Sequence, residues 1–204
     1  LWWKLADRWA RHLKEHQPSL YATPQVQFPL AAMYRQRGQL GESETVFSLF
    51  GREGVTPTQN AWTRSAKAEQ WLAHPVNLPP KSFTVCRVAD AKPVLDGLLS
   101  DPCWESADEL PMTAAPADRV AGNDHSFALL CRDREYLYFA ASLVRHPAAS
   151  TDPPLRGPRP RDSDLADFDR VSIVLDVDRD YATYYHLAVD QRGQTTDDCW
   201  GDPT

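Results

Sequence analysis

The stretch that decides the fold of the second half of this chain is His125-Ser126-Phe127-Ala128-Leu129-Leu130-Cys131-Arg132-Asp133-Arg134-Glu135-Tyr136-Leu137-Tyr138-Phe139-Ala140-Ala141-Ser142-Leu143-Val144. Two runs rich in apolar and aromatic residues, 125–132 and 136–144, flank the polar triplet Asp133-Arg134-Glu135. Runs of this length and composition read as strands. A connection this short permits only antiparallel pairing, because a parallel crossover needs about a dozen residues. The segment therefore predicts a β-hairpin. The same signature recurs in 170–177 and 182–190, reversed at Arg179-Asp180-Tyr181, and the run 82–89 reads as a further strand. Alternation continued through several hairpins predicts an antiparallel β-sandwich.

Upstream of this region the hydrophobic period is helical. Leu5, Trp9 and Leu13 fall at i, i+4 and i+8, with Lys4, Asp7, Arg8, Arg11 and Lys14 on the other faces, so residues 1–16 form one amphipathic helix. After Pro18 and Pro24 a second pattern runs from Leu30 through Tyr34 to Gly38, and a third carries Val46, Phe47 and Phe50 up to Gly51. Trp62, Ala66, Ala68, Trp71 and Leu72 mark a fourth helix, and Pro75 to Pro80 reads as a linker. The predicted organisation is α+β and multidomain, with a helical region over 1–78 and the β-sandwich over 79–204. Asp101-Pro102-Cys103-Trp104 inserts a short helix, with Asp101 as its cap and Trp104 in the core. Residues 145–169, rich in proline and charge, read as a long surface loop.

Composition narrows the function. Residues 1–80 hold nine Lys/Arg against six Asp/Glu, and residues 81–204 hold thirteen against twenty-two. The β-rich half therefore repels a phosphate backbone, which argues against nucleic acid, and suits a cation or a hydroxyl-rich ligand. No apolar run approaches the roughly 18–20 residues of a membrane span. Cys86, Cys103, Cys131 and Cys199 lack the paired spacing of a zinc site and read as buried thiols. The chain also lacks a Gly-x-Ser-x-Gly elbow, a phosphate loop and a dinucleotide fingerprint, so the expectation is a binding protein and not an enzyme.

Two resemblances give these patterns a family context. Leu30-Ala31-Ala32-Met33-Tyr34, then Gly38, Ser43, Phe47 and Pro57, look like one tetratricopeptide repeat, a helical hairpin that implies a protein partner for residues 1–78. Lys92 to Gly97 followed by Asp101-Pro102-Cys103-Trp104-Glu105-Ser106-Ala107, then Leu130 to Ala140, then Asp169-Arg170-Val171-Ser172-Ile173-Val174-Leu175-Asp176, together resemble the family 9 carbohydrate-binding modules over about residues 88–204. That resemblance implies a non-catalytic β-sandwich that grips a saccharide between aromatic rings, often carries structural calcium and works outside the cytoplasm. It also implies either further strands after Thr204 or another segment that completes the sheet. Leu165-Ala166-Asp167-Phe168 stands where the family places one stacking tryptophan.

The residues offer matching candidates. Asp176, Asp178 and Asp180 alternate along a strand into a turn, so they read either as oxygen ligands for calcium or as a solvated acidic turn. Asp162, Asp164, Asp167 and Asp169 mix with Arg159, Arg161 and Arg170, a set that can bind vicinal hydroxyls or pair with itself, and Asp169 and Arg170 are the candidates taken from it. Tyr181 and Trp200 supply flat faces for a pyranose, with Tyr184 and Tyr185 pointing to opposite sides of their strand. Trp200 is either an exposed platform or a core ring beneath strands that follow.

Overall fold

The computed structural model describes residues 2–52, 61–76, 78–80, 83–112, 125–144, 162–166 and 168–201. The chain is α+β, with helices and two largely antiparallel sheets. It forms two compact units, one made of Leu1–Ser82 with Arg159–Thr204 and the other of Phe83–Pro158. The first unit therefore joins the helices to the last sheet across the linear division at 78/79.

In that first unit, α1 (Trp2–His16) forms over the expected span with Ala10 buried and Leu5 and Leu13 half-buried, but Trp9 of the expected apolar face is exposed; Arg11 ties to Asp7 at 2.8 Å. Pro18 opens α2 (Pro18–Tyr21) and Pro24 opens α3 (Pro24–Gln36), each in the first turn where a missing N–H costs nothing. Gly38, at φ +73°, ends α3 in a left-handed residue, and the Gln39 amide donates to the Tyr34 carbonyl at 2.9 Å before α4 (Leu40–Gly51) begins. α5 (Ala61–Ala73) packs on α4. Phe28, Ala31, Phe47 and Ala66 form the buried centre, where the Phe28 ring meets the rings of Phe47, Phe50 and Trp62 edge-on at 5.3, 5.4 and 4.8 Å.

The sheet of this unit runs β5-β6-β7, all antiparallel, with β5 at Arg170–Leu175, β6 at Tyr184–Asp190 and β7 at Thr195–Trp200. The β5–β6 hairpin follows the sequence pattern. Strand β7 is an addition to it, formed by the polar run Thr195-Thr196-Asp197-Asp198 with Cys199 and Trp200. Its reversal is fixed by Asp190, whose Oδ1 accepts the Arg192 and Gln194 amides at 2.9 Å each, and by Gly193 at φ +74°.

The second unit contains β1 (Arg87–Val88), α6 (Pro102–Glu105), β2 (Leu110–Pro111), β3 (Phe127–Arg132) and β4 (Leu137–Ser142). The β3–β4 hairpin stands as predicted, with Leu130 opposite Phe139. The expected strand over 82–89 shrinks to β1, and β1 pairs with β3 in parallel, Arg87 opposite Cys131. That departs from a purely antiparallel meander, because the chain between β1 and β3 is long enough to include α6 and cross over. Trp104 lies in the core as expected, with Cys103, Leu129, Cys131 and Ala89. Burial, and then the bond with Cys103, pushes the Cys131 thiol up to about 12. Asp101 forms no side-chain cap on α6, since its Oδ1 accepts the Val94 amide at 3.3 Å instead.

Candidate functional site

The connection between β5 and β6, Asp176 to Thr183, is ordered by its own carboxylates. Asp176 accepts the Asp180 amide on Oδ1 at 3.1 Å and the Tyr181 amide on Oδ2 at 2.8 Å. Asp180 accepts the Ala182 and Thr183 amides on Oδ1 at 2.8 and 2.7 Å, and the Thr183 hydroxyl on Oδ2 at 2.7 Å. Desolvation pushes the Asp180 carboxyl up, but the Thr183 amide and hydroxyl, the Ala182 amide and Arg35 together hold it below its ordinary value. These bonds support two non-glycine residues in the left-handed region, Arg179 at φ +52° and Tyr181 at φ +60°. Each such residue costs roughly 1–2 kcal/mol. Among the described residues no group of three or more His, Cys, Asp or Glu is arranged to hold a metal. Of the expected calcium ligands, Asp176 and Asp180 direct both oxygens to donors of the turn, and Asp178 is exposed.

Tyr181, half-buried, turns its ring toward the helices. The ring packs edge-on against Phe28 at 5.0 Å and lies near Phe47 and Trp62, completing the helical core. Its hydroxyl donates to Glu69 Oε1 at 3.0 Å, and Glu69, only 5% exposed, also accepts from Arg35 Nη1 at 2.7 Å. Arg35 Nη2 in turn donates to the carbonyls of Asp178 and Arg179 at 3.0 and 2.8 Å. Burial, and then the Glu69 charge, push the Tyr181 hydroxyl well above its ordinary value. Glu69 and Arg35 carried no local sequence signal, since a charge on a helix is ordinary until its distant partner is known.

Trp200 is 58% exposed on β7 and lies opposite Tyr184 of β6. The two rings are stacked, 6.3 Å between centroids and 13° between planes. The next rung on the same face pairs His186 with Asp198 at 3.7 Å. Gly201, at φ +83°, lets the chain pass close beneath the turn, since a Cβ there would lie 2.7 Å from the Ala182 carbonyl oxygen. At the same end of the sheet lies a recess of about 250 Å³ lined by Val177, Asp178, Asp180, Thr183, Tyr184, Tyr185 and Cys199, a lining that takes in Tyr184 but not Trp200. Tyr185 is exposed and Tyr184 half-buried, as their alternation on one strand requires.

Asp169 and Arg170 stand elsewhere. Arg170 pairs with Asp190 at one end of β6, whereas Tyr184 begins the other end, about 20 Å away at the rise of an extended strand. Arg170 Nη1 donates to the carbonyls of Leu165 and Ala166 at 3.0 and 2.9 Å, so its guanidinium secures the chain entering β5. Asp169 is exposed, and its backbone carbonyl accepts the Gln191 amide at 3.2 Å. Arg159, Arg161 and Asp167 of that cluster, and Pro57 of the helical-repeat pattern, lie outside the described residues. Tyr184 and Trp200 are separate candidates in the sequence, and their stacking depends on the β6–β7 register. Comparison of the chain with protein-family models, with curated proteins and with solved structures returns no match.

Proposed function

We propose that this chain is a non-catalytic carbohydrate-binding protein that takes a saccharide at the Tyr184–Trp200 end of the β5-β6-β7 sheet. The stacked, partly exposed Tyr184–Trp200 pair carries the reading, together with the recess that Tyr184 lines with Asp178, Asp180 and Thr183. A pyranose has one apolar C–H face suited to an aromatic ring and a rim of hydroxyls suited to carboxylates such as Asp178 and Asp180. A depressed Asp180 accepts hydrogen bonds well and holds no proton near neutral pH, whereas a glycosidase acid needs the opposite shift. In this reading the β-rich part is a β-sandwich akin to the family 9 modules, α3 and α4 form a tetratricopeptide-like hairpin, and the protein works outside the cytoplasm. Calorimetric titration with neutral oligosaccharides tests it. Binding is expected in the wild type and at least a tenfold loss in Trp200→Ala, while no heat with any oligosaccharide at millimolar concentration removes the reading.

A second reading, a protein-interaction scaffold, draws on α1, where Trp3 and Trp9 are 42% and 55% exposed. Tryptophan is concentrated in the energetic centres of protein interfaces. In that case Trp9→Ala weakens capture of the partner, and Trp200→Ala leaves it intact.

A further inference from the structure

We infer that helices α3 to α5 set the shape of the saccharide recess, with Arg35, Glu69 and Tyr181 acting as positioning residues for Asp178, Asp180 and Thr183. This rests on the proposed reading of the recess as the ligand site.

The connection from Asp176 to Thr183 has two working sides. One is held by the helices, through the Tyr181 ring among Phe28, Phe47 and Trp62, the Tyr181 hydroxyl on Glu69, and Arg35 on two successive carbonyls. The other lines the recess with Asp178, Asp180 and Thr183. Residues 178 and 179 give their carbonyls to Arg35, and the Asp178 side chain leaves the same backbone toward the recess. A displacement on the helical side is therefore transmitted to the recess within one residue.

Local bonding from Asp176 and Asp180 opposes relaxation of the turn but also runs through the amides of 180–183, whose positions depend on Tyr181. Arg179 and Tyr181 occupy backbone conformations that side-chain-bearing residues seldom adopt without outside support. Arg35 supplies part of that support with a planar fork, one nitrogen on Glu69 and the other on the two carbonyls. A lysine keeps the charge beside Glu69 but cannot span both sets of acceptors.

The test uses the full chain as Arg35→Lys and Tyr181→Phe, with amide hydrogen exchange read by NMR and calorimetric titration with cellotriose and xylotriose. In both variants the amides of Asp180, Tyr181, Ala182 and Thr183 are expected to exchange at least tenfold faster. The β5–β6 ladder amides should keep their rates, and affinity for whichever trisaccharide binds the wild type should fall at least tenfold. Unchanged exchange at 180–183 in both variants overturns the inference, as does faster exchange with unchanged affinity. If the wild type binds neither sugar, the recess is not a site for these two glycans, while the exchange rates still decide whether the helices hold the turn. If ladder amides also accelerate in Arg35→Lys, the fold itself has loosened and the milder Tyr181→Phe decides.

Discussion

Two tyrosine hydroxyls donate to carboxylates beside a strand reversal, and their reach along the chain differs greatly. Tyr138 donates to Asp133 Oδ2 at 2.7 Å, five residues away, and Tyr181 donates to Glu69 Oε1 at 3.0 Å, 112 residues away. In the β3–β4 hairpin Asp133 also accepts the Glu135 and Tyr136 amides on Oδ1 at 2.7 Å each, so the turn is complete within itself. In the β5–β6 hairpin the local carboxylates order the backbone, but the tyrosine ring leaves the sheet and enters the helical core. The same bond closes a local turn in one place and fastens a sheet to a helical bundle in the other. Neighbouring residues alone suffice for the first, whereas the second needs a receptor.

Truncating the two rings gives the largest test of that contrast. Tyr181→Ala empties a site among Phe28, Phe47 and Trp62 and removes a donor from buried Glu69, which should cost about 3–5 kcal/mol in urea denaturation. Tyr138→Ala, at a half-buried strand position, should cost clearly less, and equal losses would break the distinction. Removing only the hydroxyls sharpens it. Tyr181→Phe should lose about 1.5–3 kcal/mol, because its acceptor is charged and buried, and Tyr138→Phe distinctly less, read in the same way.

Titration separates the carboxylates from the hydroxyls. Asp133 is held below its ordinary value by the Glu135 amide, then by the Tyr138 hydroxyl and the Tyr136 amide, and Asp180 is also depressed. A depressed carboxyl contributes its full stability above the unfolded value and loses it as pH falls through the folded one. Thermal stability should therefore decline below about pH 4, and less steeply in Asp133→Ala and Asp180→Ala. The tyrosines have the opposite sign. Partial burial and then Asp133 raise Tyr138 to about 12, and Tyr181 is also raised, so their contributions hold below about pH 10 and fade above it. The smallest effect concerns calcium. Asp176 and Asp180 already accept bonds of the turn and Asp178 is exposed, so a rise in Tm at millimolar calcium that Asp178→Asn abolishes would support a cation site at that turn, and an unchanged Tm would remove it.

What could be read from the sequence follows the same division between local and distant causes. The span of α1, the Gly38 reversal and the β3–β4 hairpin all depend on residues within a few positions of one another. Strand β7 was hidden because Thr195, Thr196, Asp197 and Asp198 are polar on both faces, although Asp190 to Gly193 has the composition of a hairpin turn. The parallel pairing of β1 with β3 depends on a partner more than forty residues away, which no short window contains. At the candidate site, Trp200 and Tyr184 were visible as residue types, and their stacking follows only from the β6–β7 register. Tyr181 looked like a ligand face because an aromatic residue in a polar turn gives no hint of a pocket formed by helices earlier in the chain.

Strand β7 has one more consequence. In the order β5-β6-β7 it forms one margin of the sheet, with Asp197 and Asp198 at its middle. A second molecule adding itself strand to strand along that margin would bring Asp197 and Asp198 of both copies into adjacent rungs, a like-charge juxtaposition that disfavours edge-to-edge pairing.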